Sequence, residues 1–222
     1  MANKQGRDTR VAVIGLGRFG SSLALELVSR GWEVLGIDSD SRLVQKLADD
    51  LTHAVVADST DQEALRQLGV QEFRRAVVGI GGDLEASILT ASLLVDLGIP
   101  NIWAKAVSRQ HGKILERVGV HHVVSPEFDM GERVAHLVTG RMLDYIEFEE
   151  QFALIKTRAP AEAVDRPLKD SQLRVRYGVT VVGVKRPGED FVHATPETVI
   201  HEGDVLIVAG NTASAERFAE LT

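Results

Sequence analysis

The chain has no cysteine and few aromatic residues, 5% of its 222 residues. Without cysteine, disulfides, thiolate metal sites and cysteine nucleophiles are excluded, which suits a cytoplasmic protein. No run approaches the roughly 18 consecutive apolar residues that a membrane-spanning helix needs. The polar N-terminus also lacks the apolar segment of a signal peptide. We therefore expect any role at a membrane to depend on a partner.

Basic residues are outnumbered by acidic ones, 25 lysines and arginines against 32 aspartates and glutamates, which gives a net charge of −7. Because binding to a nucleic-acid polymer requires a basic face, such a polymer is not expected as a partner. Hydrophobic residues make up 44% of the chain, an ordinary value for a packed globular protein. The length exceeds that of one typical compact domain.

The first half alternates short apolar runs with helical patterns. Residues 11–14 form a continuous apolar run that ends at Gly15, which is typical of a strand buried on both faces. Further strands are predicted over 33–37, 53–57, 75–80, 102–107 and 122–124, each followed by a helix. Alternating strands and helices predict the α/β class, here a doubly wound parallel sheet with the Rossmann strand order.

The pattern changes after Ser125 and Pro126. Residues 127–143 predict one amphipathic helix, an acidic stretch occupies 147–150, and short strands and turns follow from residue 152. We therefore predict a Rossmann domain at 1–130, a linking helix at 131–147 and a small α+β domain at 148–222.

The segment Gly15-Leu16-Gly17-Arg18-Phe19-Gly20 matches the G-x-G-x-x-G motif between a strand and a helix. Gly15 permits the tight turn, Gly17 lets backbone N–H groups approach phosphate, and Gly20 allows close packing of helix and strand. Phosphate is favoured at such a helix N-terminus. Asp38, 18 residues beyond Gly20, can accept hydrogen bonds from both ribose hydroxyls and would repel a 2′-phosphate. The pattern predicts an adenine-nucleotide site; the alternative is a Rossmann fold with an empty crevice.

Other positions follow predicted strands at the edge of the sheet where ligands bind. Asp58, followed by Ser59, either meets the adenine amino group or caps the next helix. Gly81 either lines the ligand with backbone or only forms a turn. Neither His193 nor His201 has an evident acid–base partner, so the sequence predicts binding without evident chemistry.

Three segments resemble one protein family: residues 12–20, 101–106 and 125–131. Over about residues 9–217 the chain resembles the KtrA and TrkA type of regulatory subunits of bacterial potassium-uptake systems, built from RCK domains, and its length is closest to the KtrA type. The resemblance implies an RCK_N domain followed by an RCK_C domain and no enzymatic activity. It also implies dimers that assemble into an octameric ring at the inner face of the membrane, bound to a potassium-translocating subunit of the KtrB or TrkH type.

The resemblance implies ATP or ADP in the crevice, with NAD as the alternative, and contacts from the motif residue Phe19. Arg18 would reach the terminal phosphate of a neighbour's nucleotide, and Lys105 would lie near the nucleotide. Glu127 would hold Mg²⁺ or Na⁺ beside the γ-phosphate. The residues alone leave an alternative for each side chain: an exposed surface arginine for Arg18, a surface lysine for Lys105 and a first-turn glutamate for Glu127. Ser125 departs from the histidine of many relatives.

The C-terminal resemblance implies cyclic di-AMP bound across a dimer interface by Arg174, Val175, Tyr177 and Pro196. Alternatively, Tyr177 belongs to the core and Pro196 shapes a turn. Two other classes of function compete with the regulatory subunit. An NAD-dependent oxidoreductase would need an acid–base set, and a redox-sensing transcription regulator would need a basic helix-turn-helix segment, which neither terminus supplies.

Overall fold

The computed structural model describes residues 9–139, 141–148 and 151–222. Contacts divide the chain into two compact units, Met1–Glu127 and Phe128–Thr222. Among the described residues, no helix combines the length and the apolar character needed to cross a membrane.

The first unit is built on a six-stranded parallel sheet. Its strands are β1 (Arg10–Ile14), β2 (Glu33–Asp38), β3 (His53–Val56), β4 (Ala76–Val78), β5 (Ile102–Lys105) and β6 (His122–Val124). Their spatial order is β3-β2-β1-β4-β5-β6. This order confirms the predicted Rossmann sheet, and it places a topological switch point between β1 and β4, where such sheets bind ligands.

Apolar layers cover both faces of the parallel sheet, which explains the continuous hydrophobic runs in the sequence. Within β1, Ala12 and Ile14 belong to the cluster on one face and Val11 and Val13 to the cluster on the other. Burial of both faces holds the ends of β1 and β4 in fixed positions.

Helices follow the strands: α1 (Arg18–Ser29), α2 (Ser41–Leu47), α3 (Gln62–Gln67), α4 (Leu84–Asp96) and α5 (Arg109–Val118). A polar side chain caps the N-terminus of each of α2 to α5, from Asp40, Asp61, Asp83 and Ser108. Helix α1 differs because its N-cap is Gly17, which supplies no capping side chain. The N-terminus of α1 is therefore suited to an external anion.

The second unit contains a five-stranded antiparallel sheet in the order β10-β9-β11-β8-β7. Its elements are α6 (Pro126–Thr139, which begins at the end of the first unit), β7 (Asp144–Phe148), β8 (Phe152–Arg158), α7 (Leu168–Ser171), α8 (Leu173–Tyr177), β9 (Val179–Lys185), β10 (Val192–His193), β11 (Val205–Asn211) and α9 (Thr212–Ala219). Leu173 of α8 and Phe218 of α9 pack on the inward side chains of the sheet. The predicted small α+β fold is confirmed.

Two predicted elements differ from the structure. Helix α6 ends at Thr139, and residues 144–148 form strand β7 where the sequence predicts a linking helix. Strand β7 forms because Tyr145, 2% exposed, belongs to the core while residues 144–148 pair with 152–156. Residues 140, 149 and 150, which lie in the predicted linking helix and acidic stretch, are outside the described residues, as are residues 1–8. The division at 1–130, 131–147 and 148–222 stays a prediction.

Gly20→Ala should destabilise the first unit by about 3 kcal/mol or more. The reason is that a Cβ on Gly20 would overlap the backbone carbonyl of Gly15. Both tryptophans, Trp32 and Trp103, lie in this unit, so urea unfolding followed by tryptophan fluorescence reports its stability.

Gly17→Ala is the matched control, because a Cβ there would meet nothing within 4 Å and the φ of Gly17 is −62°. Its cost should stay within about 1 kcal/mol, the ordinary difference between glycine and alanine at an N-cap. Equal destabilisation by the two substitutions would contradict the packing argument.

Candidate nucleotide-binding site

A crevice of about 340 Å³ opens in the first unit beyond the carboxyl ends of β1 to β4. Residues from all four strand ends line it, and six of them are predicted site residues: Gly15, Gly17, Asp38, Asp58, Ser59 and Gly81. The structure thus brings together, in one cavity, positions that are up to 66 residues apart (81 − 15).

The floor of the crevice is backbone. Gly15 has a φ of +90°, which favours glycine, and its N–H donates to the carbonyl of Ile37 at 2.8 Å. A Cβ on Gly15 would lie 2.8 Å from the backbone nitrogen of Ile80. At Gly17 the space a side chain would fill is open. A ligand can therefore approach the amides at the start of α1 without meeting a side chain at that position.

Asp38 at the end of β2 is held by two backbone amides. One carboxylate oxygen accepts from the N–H of Leu16 at 2.6 Å, and the other accepts from the N–H of Asp40 at 2.8 Å. Each carboxylate oxygen has a second lone pair. The side chain is thus oriented before a ligand arrives and keeps capacity to accept from the two hydroxyls of a ribose.

Asp58 and Ser59 follow β3. The Asp58 carboxylate accepts from the hydroxyl of Thr60 at 2.7 Å and from its N–H at 2.9 Å, and these bonds lower the Asp58 pKa, the hydroxyl contributing most. Asp58 does not cap the next helix, because that cap is Asp61. The buried Ser59 hydroxyl lies 2.8 Å from that of Thr90.

Lys105 and Glu127 form an ion pair beside the crevice. Lys105, at the end of β5, is only 8% exposed, whereas the Glu127 side chain is 63% exposed in the first turn of α6. The hydrogen bond from Lys105 is the main cause that lowers the Glu127 pKa, and the charge of Arg18 lowers it further. The Lys105 Nζ lies 5.8 Å from the ring centre of Phe19. All four side chains therefore gather at the start of α1 and α6.

The crevice also includes residues that the sequence does not single out, among them Ser39, Leu43 and Gly79. Gly79 carries a detectable signal, since it lies near the end of the strand predicted over 75–80, and a Cβ there would lie 2.9 Å from the Gly15 carbonyl oxygen. Leu43 carries no such signal in the sequence, because its context in α2 is that of any apolar helix residue.

A second cavity, about 460 Å³, lies in the second unit between α7, α8, β9 and residues 194–196. Arg174, Val175 and Pro196 line it. Tyr177 is not among the lining residues: its ring packs edge-on against Phe218, 5.8 Å between centres, and its hydroxyl donates to Glu162.

The parallel sheet, the glycine turn and the acid at the end of β2 define a Rossmann protein of the nucleotide-binding class. Residues 11–126 match the TrkA-N domain model, and residues 153–222 match the TrkA-C domain model. The chain is 40% identical over 208 residues to the Ktr system potassium uptake protein C of Bacillus subtilis, covering 93% of this chain and 94% of the relative. It is 36% identical to the Ktr system potassium uptake protein A of Bacillus subtilis, with 96% of each chain covered.

Solved structures show the same fold. The GsuK RCK domain aligns with a TM-score of 0.67 at 19% identity and covers 98% of this chain; the chain spans about half, 49%, of that structure's length. The GsuK channel bound to NAD aligns with a TM-score of 0.65 at 18% identity, covering 99% of this chain and 40% of that one. The protein belongs to the TrkA-N/TrkA-C family of potassium-uptake proteins, and the predicted KtrA/TrkA type is confirmed.

Lys105→Met should raise the Glu127 pKa back towards the ordinary glutamate value, because the hydrogen bond that stabilises the carboxylate is removed. With Lys105 present, the pair is intact above the ordinary glutamate pKa and is lost as pH falls through the lowered value. Carboxyl ¹³C NMR titration of ligand-free protein measures this.

Glu162 is the control, since its pKa is also lowered but by Tyr177 and Arg176 in the second unit. Its titration should be the same in both proteins. An unchanged Glu127 titration in Lys105→Met would contradict the ion pair.

Proposed function

We propose that the protein is a nucleotide-controlled regulatory subunit that gates potassium flux through a membrane-embedded translocating partner of the KtrB or TrkH type. The observation that carries the proposal is the conjunction of two features: the end-to-end relationship to Ktr system proteins, and a crevice built from the glycine turn and Asp38. The protein would act in the cytoplasm, held at the inner face of the membrane by its partner.

The crevice supports ATP or ADP as the controlling ligand, with NAD as the alternative. All three share an adenosine joined to a diphosphate, which suits an uncapped helix N-terminus for the phosphates and an oriented carboxylate for the ribose. Among structures with this fold, GsuK has been solved bound to NAD and bound to ADP. A 2′-phosphate would lie against Asp38, which disfavours NADP.

The lining of the crevice favours regulation over the rival oxidoreductase function. Of the described residues that line it, none is a histidine, lysine, arginine or tyrosine, and Lys105, which lies beside it, is paired with Glu127. The lining carboxylates Asp38, Asp58 and Asp83 each accept backbone N–H bonds. A hydride-transfer enzyme needs a proton donor beside the nicotinamide. We therefore assign no catalytic residue.

Helix α6 supports assembly from several copies. No residue of α6 is buried, and Met130, Val134 and Val138, four residues apart on one face, are 53%, 44% and 78% exposed. An apolar helix face of this kind is stabilised by a partner surface. We propose dimers that assemble into an octameric ring, in which the exposed Arg18 reaches the terminal phosphate of a neighbour's nucleotide.

Glu127 supports a cation beside the nucleotide. Among the described residues, no group of three histidines, cysteines or acids forms a ready metal site. A single carboxylate fits Mg²⁺ when phosphate oxygens and waters supply the remaining ligands. We propose that Mg²⁺ or Na⁺ binds Glu127 only together with a nucleotide, whose charge it would partly neutralise.

The cavity of the second unit supports cyclic di-AMP as a second ligand. Arg174 can pair with a phosphate, and Val175, 85% exposed, and Pro196 offer apolar surface to a base. We propose that these three residues bind it and that Tyr177 supports them from the core side.

Arg18→Ala should leave ADP affinity within about twofold and weaken ATP binding about tenfold or more, because only ATP carries the terminal phosphate that Arg18 contacts. ATP-dependent potassium uptake through the partner should be lost. Calorimetric titration and potassium flux in proteoliposomes measure the two effects, and native mass spectrometry verifies that the subunit number is unchanged.

Arg30→Ala is the control, since Arg30 is an exposed arginine at the other end of α1, paired with Glu26. Arg30→Ala should leave the affinities for ATP and ADP and the potassium flux unchanged. Equal weakening of ATP and ADP by Arg18→Ala would contradict the proposed contact, and absence of ATP, ADP and NAD binding at millimolar levels would contradict the site itself.

Arg174→Ala should weaken cyclic di-AMP binding about tenfold, because a charge-assisted contact to phosphate is removed. Arg176→Ala is the control: Arg176 lies in the same helix but pairs with Glu162 and does not line the cavity. Calorimetry of both variants tests this, and no binding to the unaltered protein, or equal losses in both variants, would contradict the assignment.

A further inference from the structure

Lys105 has an ion-pair partner whose exposure differs sharply from its own. Its side chain is 10% exposed, and that of Glu127 is 63% exposed. A buried ammonium requires a counter-charge, whereas an exposed carboxylate can be hydrated when it loses its partner. Loss of the pair therefore costs Glu127 little free energy, because water can hydrate its carboxylate. Lys105 must gain another anion in exchange.

The position of Lys105 places such an anion within reach. A Cβ on Gly81 would lie 3.3 Å from the Lys105 Nζ and 3.6 Å from its Cε, and Gly81 lines the nucleotide crevice. Because residue 81 is glycine, no side chain separates the ammonium from the crevice at that point. A lysine amine on a flexible four-carbon stem can turn between two acceptors that lie on either side of it.

The ion pair with Lys105 also limits the binding of a cation to Glu127. While its Oε1 accepts from Lys105, a metal cation at that oxygen would lie against an ammonium of like charge. The carboxylate is a better cation ligand once the ammonium has left, because both oxygens are then available. Lys105 and the proposed cation therefore compete for the Glu127 carboxylate.

We propose that Lys105 is a phosphate-responsive residue: when a nucleotide binds, its ammonium leaves Glu127 for a phosphate oxygen and so releases the Glu127 carboxylate for a cation. This inference rests on the proposed nucleotide site and adds an order of events to it. Nucleotide and cation are then positively coupled, and by linkage the cation favours the nucleotide-bound arrangement equally. The exchange alters the tie between the end of β5 and the first turn of α6.

A carboxyl ¹³C NMR titration of Glu127 with and without saturating ADP, in choline buffer with EDTA, tests the exchange. The unaltered protein should show a large rise of the Glu127 pKa on ADP binding, since the carboxylate loses its ammonium and gains a phosphate neighbour. In Lys105→Met only the phosphate neighbour is gained, so the rise should be clearly smaller. Equal rises in the two proteins would mean that Lys105 stays on Glu127 and would overturn the proposal.

A double-mutant cycle on ADP affinity gives a second measurement. It does not depend on the Glu127 titration in the Lys105→Met protein. Glu127→Gln should tighten ADP binding about threefold or more in the chain that keeps Lys105, because the ammonium no longer leaves a charged partner. The tightening should be smaller in the Lys105→Met background. Equal tightening in both backgrounds would show only phosphate repulsion by Glu127 and would overturn the competition.

These experiments distinguish a failure of the proposed nucleotide site from a failure of the proposed exchange of Lys105. If ADP does not bind the unaltered protein, the nucleotide site itself is wrong and the exchange falls with it. If ADP binds while the two comparisons give equal changes, the nucleotide site stands and the exchange alone is wrong.

Discussion

The first unit depends on one close backbone contact, at the carbonyl group of Gly15. Gly20 of α1 and Gly79 after β4 both face this carbonyl, and a Cβ at either position would collide with it or press on it. The missing side chains let α1 start directly above the switch point between β1 and β4. They also place the Leu16 N–H against Asp38. The proposed nucleotide contacts at both the phosphate and the ribose would thus follow from a single packing constraint.

The candidate site divides its charges by position. Its carboxylates, which line the crevice, accept backbone N–H bonds that fix their orientation, as Asp38 does with the amides of Leu16 and Asp40. The cationic side chains Arg18 and Lys105 gather near Glu127 at the start of α1 and α6. A ligand with hydroxyls at one end and phosphates at the other matches this division. The net charge of −7 describes the whole surface and does not conflict with a local basic end.

Most of the first unit could be predicted from sequence because its signals are local. The apolar runs, the glycine turn and Asp38 lie within 29 residues, from 10 to 38. Strand β7 escaped prediction because its identity depends on pairing with β8 and on the burial of Tyr145, whereas its own sequence is acidic. The Lys105–Glu127 pair also escaped prediction, although a signal existed: Lys105 ends β5 and Glu127 follows the neighbouring strand β6, and the register of these strands pairs Lys105 with Val124. Nothing local distinguishes Tyr177 as a core residue from Tyr177 as a ligand contact.

A regulator and an enzyme place different chemical requirements on the same crevice. An enzyme requires groups that change their bonding to the reacting atoms, while a regulator requires only that two states of the protein bind the ligand unequally. Asp38 and the glycine turn are held rigidly and would bind any adenosine diphosphate in the same way. The proposed phosphate end differs, because Lys105 pairs with Glu127 and would gain a bound phosphate as a second acceptor, and because the Arg18 side chain is exposed. Discrimination between ATP and ADP would therefore arise at the phosphate end, where the side chains can change partners, and the rigid ribose end would supply affinity common to both.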